Sequence, residues 1–173
     1  MSSIQWKLDP THSELRFKVK HLGISNVSGT FEVIDAALQA SDKGLQSADV
    51  NFTANAASIS TNNADRDNHL KSADFFEVEK YPELLFEAKD VDLTQEEIEG
   101  NLTIKGITHP VKLKIEVEGP AKDPWGNEKI AFAISGKIKR SAWGLTWNAA
   151  LETGGVLVSD EVRITADVQF AAV

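Results

Sequence analysis

Alternation of apolar and polar residues with a period of two runs along most of this chain, and no other feature constrains its fold as much. Leu15, Phe17, Val19 and His21 alternate with Arg16, Lys18 and Lys20. Ile98, Gly100, Leu102 and Ile104 alternate with Glu99, Asn101, Thr103 and Lys105. Val111, Leu113, Ile115 and Val117 alternate with Lys112, Lys114 and Glu116. Two more inner faces follow, Ile130 to Ile138 on even numbers and Val162 to Phe170 likewise. A strand turns successive side chains to opposite faces, so each run buries one face and wets the other. That pattern belongs to antiparallel sheets, because parallel sheets are covered on both sides. About eight such strands predict an all-β meander, as a barrel or a sandwich. Barrel closure would remove the open edges that long strands otherwise present.

The punctuation between runs is less regular. Ile4 to Asp9 reads as a first strand ended by Pro10, and Gly23 with Ser25 to Gly29 as a loop or bulge. Phe31 and Val33 continue as strand to Leu38, and Ser41 to Gly44 turns the chain into the run Ala48, Val50, Phe52. Ala56 to Ser60 extends that run, and Leu85 to Val91 is a strand entered from Pro82. Gly106 to Pro110 reads as a hairpin turn, and Gly119 to Lys129 as a long polar loop. Val156 and Val158 restart the alternation after Arg140 to Asn148. Small residues on the inner faces, Ala48, Ala88, Ala166, Gly100 and Gly136, either leave a lumen or follow the taper of a packed barrel. On the first reading, enlarging Gly136 or Ala88 blocks the lumen while the fold survives.

Composition narrows the function. The 173 residues suit a single domain over 1–173 with a sizeable core. Eighteen basic against 26 acidic residues give a net charge of −8, which repels phosphate backbones and argues against nucleic acid. There is no cysteine, so disulfides, thiolate metal sites and a cysteine nucleophile are excluded. No apolar run reaches the roughly 20 residues of a membrane-spanning helix. MSSIQWKLDP shows no secretory leader, so the expected location is the cytoplasm. Neither GxSxG nor a phosphate-binding glycine loop occurs. His12, His21, His69 and His109 are scattered without metal-ligand spacing, so no metal site is expected. His21 falls on an inward phase, which suits a buried, hydrogen-bonded histidine.

One stretch breaks the β pattern: SISTNNADRDNHLKSADFFEVEKYPELLF, Ser58 to Phe86. Asn62 or Asn63 can cap a short helix from Ala64 to Lys71, within a helical insert of about 63–76. On such a helix Arg66 shares a side with His69 and Leu70, while Asp67 points elsewhere. Leu70, Phe75 and Phe76 would anchor it to a barrel end. Arg66 and His69 then either meet a polar head at the mouth or belong to an ion-pair network with the aspartates. Trp143 and Trp147, near Arg140, either cap the barrel and line its entrance or pack in its core.

Several stretches together resemble the YceI-like family. LDPTHSELRFKVKHLGISNVSGTF is similar to its opening, and the insert to its centre. GNLTIKGITHPVKL, DPWGNEKIAFAISGKIKRSAWGLTWN and VSDEVRITADVQF follow in order, nearly end to end. The resemblance implies an extended, antiparallel, lipocalin-like β-barrel with an apolar lumen that binds a polyisoprenoid or isoprenoid quinone-like lipid, for transport or storage. It implies a homodimer, no cofactor beyond the bound lipid and no catalytic residue. Inward Phe17, Val19, His21, Phe31, Phe86, Leu102, Phe132 and Ile134 would hold the tail. Arg66, His69, Leu70, Phe75, Phe76, Trp143 and Trp147 would form the mouth. The alternative is an enzyme or stress-response protein acting on a smaller ligand near Arg66 and His69, or a barrel with no ligand.

Overall fold

A computed structural model describes residues 4–148 and 157–173, so Val156 lies outside the described residues. In chain order the strands are β1 (Ile4–Leu8), β2 (Glu14–His21), β3 (Ser25–Phe31), β4 (Ile34–Ser41), β5 (Gly44–Asn55) and β6 (Ile59–Ser60). The helix α1 (Ala64–Lys71) follows. Then come β7 (Glu83–Val91), β8 (Glu97–Ile104), β9 (Ile107–Lys122), β10 (Glu128–Lys139) and β11 (Val158–Ala172).

All these strands form one antiparallel sheet that closes on itself. β11 pairs with β10 along one edge, and along the other with both β2, Phe17 opposite Ile164, and β1, Trp6 opposite Ala172. β1 and β2 are two halves of one bent stave, and so are β3 with β4 and β5 with β6. The result is a closed barrel of eight staves in sequence order. Closure leaves no long edge exposed, the outcome that alternation on so many strands calls for.

The turns correct the sequence reading in three places. Ser25 to Gly29 is strand, and the turn is Leu22–Gly23 alone, both with positive φ, 56° and 71°. Gly29 sits in the strand because a Cβ there would lie 2.4 Å from Phe17 Cζ; the Phe17 ring covers the glycine. The β8–β9 turn is Lys105–Gly106, again with positive φ at both, and Pro110 lies inside β9 opposite Asn101. Proline is tolerated there because β9 pairs with β10 only from Lys114 onwards, so its missing N–H breaks no second ladder. β9 also runs on to Lys122: Gly119 and Pro120 sit in a register shift opposite Lys129 to Ala131, which leaves only the residues around 123–127 as turn.

The barrel has two different ends. At one, Trp6, Leu8, Leu38, Leu93, Ile130 and Phe170 are buried against each other and fill the interior. The other end carries the 22–23 turn, the insert with α1, the 105–106 turn and residues 140–148 after β10. There the lumen widens.

Candidate ligand cavity under the helical insert

A cavity of about 590 Å³ occupies the wide end, and its lining is almost entirely apolar. Leu38, Leu93 and Phe170, the tops of the packed end, make its floor. Its walls are the inward residues of the alternating runs. Phe17, Val19 and His21 come from β2, Phe31 from β3, Phe86 from β7, Leu102 from β8, and Phe132 and Ile134 from β10. Val162, Ile164 and Ala166 of β11 complete the wall beside β2.

Of the five small inward residues, only Ala166 lines the cavity. A Cβ on Gly100 would lie 2.5 Å from Phe86 Cζ, and one on Gly136 2.5 Å from Leu113 Cδ2. Both sites are filled by a neighbour's side chain. Ala48 and Ala88 are buried in the packed core. The expectation that Gly136 and Ala88 leave lumen space is therefore corrected: neither lines the cavity, and the space beside each is already filled.

The roof is the insert. Asn63 caps α1, its side chain accepting from the Arg66 N–H at 3.0 Å. Thr61, buried at the foot of the helix, ties it down. Its N–H and hydroxyl both donate to Asp67 Oδ1, at 2.8 and 2.6 Å. Arg66 Nε donates to the same hydroxyl, and Nη2 to the Thr61 carbonyl, both at 2.8 Å. Arg66 thus forms no ion pair with a described carboxylate; the aspartate network works through Thr61 instead. The helix turns Asp65, Arg66, His69 and Leu70 towards the cavity and Asp67 away from it, because the first four recur at helical spacing.

Beyond the helix, apolar rings close the roof. Phe76 packs edge-on against Phe31 at 5.8 Å, and Phe31 packs at a tilt against Phe17 at 5.7 Å. His69, Phe75 and Trp147 form a second group, with centroids 4.7 Å apart for His69–Trp147 and 5.5 Å for Phe75–Trp147. His69 Nε2 lies 2.8 Å from Asp74 Oδ2; a carboxylate accepts, so Nε2 carries the proton. The Phe31–Phe76 and His69–Trp147 pairs are edge-to-face, the geometry ring quadrupoles favour, and the other two are tilted.

Two residues depart from their sequence-based expectations. Trp143 does not line the cavity. It is buried with Nε1 donating to the Leu102 carbonyl at 2.9 Å and its ring against His109, so it plugs the barrel end in the core. His21 does line the cavity, but its ring makes no hydrogen bond with a described residue. A residue the sequence did not single out as a site residue, Arg140, frames the mouth. It is buried, and its guanidinium donates to the carbonyls of Leu145 at 2.6 Å, Trp147 at 2.9 Å, Ser159 at 2.9 Å and Val158 at 3.2 Å. One fork of donors thereby fastens the Trp147 segment to the start of β11. Burial lowers its pKa from the ordinary arginine value, and Asp160 opposes that shift. The carbonyls lie 5, 7, 18 and 19 residues further along the chain, and the fold of the chain after β10 brings them to one point.

The arrangement can enclose an apolar chain and offer polar groups at one end. Arg66, Asn63, Asp65 and His69 line the roof, and Arg140 the rim. Among the described residues no group of three potential metal ligands converges. A closed meander with an apolar lumen, packed at one end and roofed at the other, defines a lipocalin-like barrel. Comparison with known proteins gives the particular family. The chain belongs to the YceI-like family, whose domain profile matches residues 6–170. A UPF0312 protein of Staphylococcus epidermidis is 39% identical over 168 residues, covering 96% of this chain and 97% of the relative. The Campylobacter jejuni YCEI protein is similar in structure, with a TM-score of 0.71, 35% identity and 87% of both chains covered. A polyisoprenoid binding domain from Saccharophagus degradans shares the fold, with a TM-score of 0.74, 16% identity and coverage of 97% of this chain and 98% of that one.

Proposed function

We propose that this protein binds a long apolar lipid, isoprenoid-like in its tail, inside the barrel, as a carrier or store and not as an enzyme. The observation that carries the reading is the cavity of about 590 Å³, apolar over its floor and walls and within the range of about 300–1,000 Å³ usual for ligand sites. A slender apolar chain gains about 0.8 kcal/mol for each methylene removed from water, before the cost of ordering it. Water gains little there, because the walls offer few hydrogen-bond partners. The fold shared with a polyisoprenoid binding domain supports the same ligand class.

In this reading the tail lies between Phe17, Val19, Phe132 and Ile134, and the head lies under Arg66 and His69. Arg66 retains Nη1, which makes no hydrogen bond with a described residue, as a donor for an anionic head. Organic extraction or native mass spectrometry of the purified protein should release a long apolar molecule. An interior that stays empty after expression with, or incubation in, polyisoprenoid lipids would overturn the reading. A homodimer and a cytoplasmic location belong to the same proposal, checked by sedimentation velocity and by cell fractionation.

A further inference from the structure

The outer surface of the barrel is not evenly charged. In a chain of net charge −8, one wall is cationic. Lys18 of β2 lies opposite Arg163 of β11, which lies opposite Lys137 of β10. Adjacent strands are about 4.8 Å apart, so three positive charges stand in a row about 10 Å wide. All three side chains are exposed, and none makes an ion pair with a described carboxylate. Like charges placed directly across strands destabilise a sheet, so this row carries a cost in the free protein. Lys20 extends the wall towards the cavity end, while Lys139 on the same side lies opposite Glu161 and closes the cationic row there. On the β3 side the partners are neutral: Ser28 opposite Lys18 and Asn26 opposite Lys20.

The same wall ends in an apolar tip. The β2–β3 hairpin carries Leu22, 43% exposed, and Ile24, 85% exposed, beside the cavity end. Positive φ at Leu22 and Gly23 makes the turn tight, and both aliphatic side chains stand open to solvent. A row of unpaired cations leading to two bare aliphatic side chains fits one kind of surface, an anionic phospholipid bilayer. The cations meet headgroups and the tip enters the boundary between headgroups and acyl chains. A protein partner would need a complementary acidic face, and a nucleic acid would gain nothing from the aliphatic tip.

We infer that the Lys18–Arg163–Lys137 wall and the Leu22–Ile24 hairpin form a docking surface for anionic membranes, which sets the cavity mouth against the bilayer. The role as a loading surface rests on the lipid-binding reading, but its readout does not, because vesicle binding is measured whatever the lumen holds. The full chain is sedimented with vesicles of phosphatidylcholine alone and with vesicles also containing phosphatidylglycerol. Binding is expected only with phosphatidylglycerol, and is expected to vanish at high salt. Lys18→Glu, Lys137→Glu and Arg163→Glu together should weaken it at least about tenfold. The neutral set Lys18→Gln, Lys137→Gln and Arg163→Gln, the milder change should the first misfold, should weaken it severalfold. Ile24→Ser should also weaken it severalfold while leaving lipid extracted from the lumen unchanged. Equal binding to both vesicles, no binding to either, or wild-type binding by both charge variants would overturn the inference. So would a salt-sensitive dimer in sedimentation velocity without vesicle binding, which would assign the wall to the acidic side of a second copy.

Discussion

Arg140 shows how much a single side chain can hold. Its fork donates to four carbonyls on two segments, of which Val158 also accepts from Asn148 Nδ2 at 2.6 Å. Arg140→Ala leaves buried acceptors without donors and should cost about 3 kcal/mol or more, read as a lower urea midpoint. Arg140→Lys should recover only part of this, since an ammonium is a point charge and not a fork. Asp9 acts on a smaller scale. The Thr11 hydroxyl, first, and then His12 hold its carboxyl down to about 2 from an ordinary 3.8. A carboxyl with a lowered folded pKa stabilises the protein above its ordinary value and loses that contribution as pH falls towards 2. Asp9→Asn should therefore melt slightly below wild type at neutral pH, by about 0.5 kcal/mol or less, and the two should converge near the acid end. Thermal melts across pH check the sign.

The helix α1 is the weakest element by its own chemistry. Eight residues, ADRDNHLK, are polar nearly all round and too few to hold a helix alone in water. The Asn63 cap, the Thr61 clasp and the apolar anchors Leu70, Phe75 and Phe76 do so instead. Asn63→Ala should lower local stability by about 1 kcal/mol, which is roughly fivefold in the opening equilibrium. Amide exchange over residues 64–71 should quicken by that factor while β9, β10 and β11 keep their protection. Equal acceleration in the strands would mean that the roof and the barrel unfold together. The element's existence and its bounds were legible in the sequence, because a capping asparagine, an acidic first turn and a basic last turn mark them. Its clasp was not: the aspartate at 67 meets a threonine at the foot of the insert, and nothing in the local pattern distinguishes that from an ion pair with Arg66.

For the molecule as a whole, the decisive quantity is empty volume. Val162 lines the cavity from β11, and Val162→Trp should fill it, abolishing lipid uptake in extraction assays while the barrel still melts cooperatively. Gly136→Leu is expected to do something else, because Leu113 already occupies its space; overpacking should cost about 1–3 kcal/mol. Urea denaturation of the two variants separates a blocked lumen from a damaged wall. Retained uptake in Val162→Trp would move the ligand out of the barrel.

Alternation by itself determined the all-β class, the antiparallel pairing and which side of each strand faces inward. Those are local properties, because a residue's face depends only on its parity along the strand. Phe17, Val19, Phe132 and Ile134 were placed inward on that basis, and they line the cavity. Local punctuation was a poorer guide. Gly29 and Pro110 read as turns, yet each sits in a strand, one under the Phe17 ring and the other where β9 lacks a β10 partner. Only tertiary structure decided where the lumen is empty. Gly100 and Gly136 remove volume from their own strands, and side chains from neighbouring strands put it back. Closure also brought Trp143 into the core instead of the mouth, and aligned Lys18, Arg163 and Lys137 from three separate strands. Each depends on the register between strands far apart in the chain, which parity along one strand does not contain.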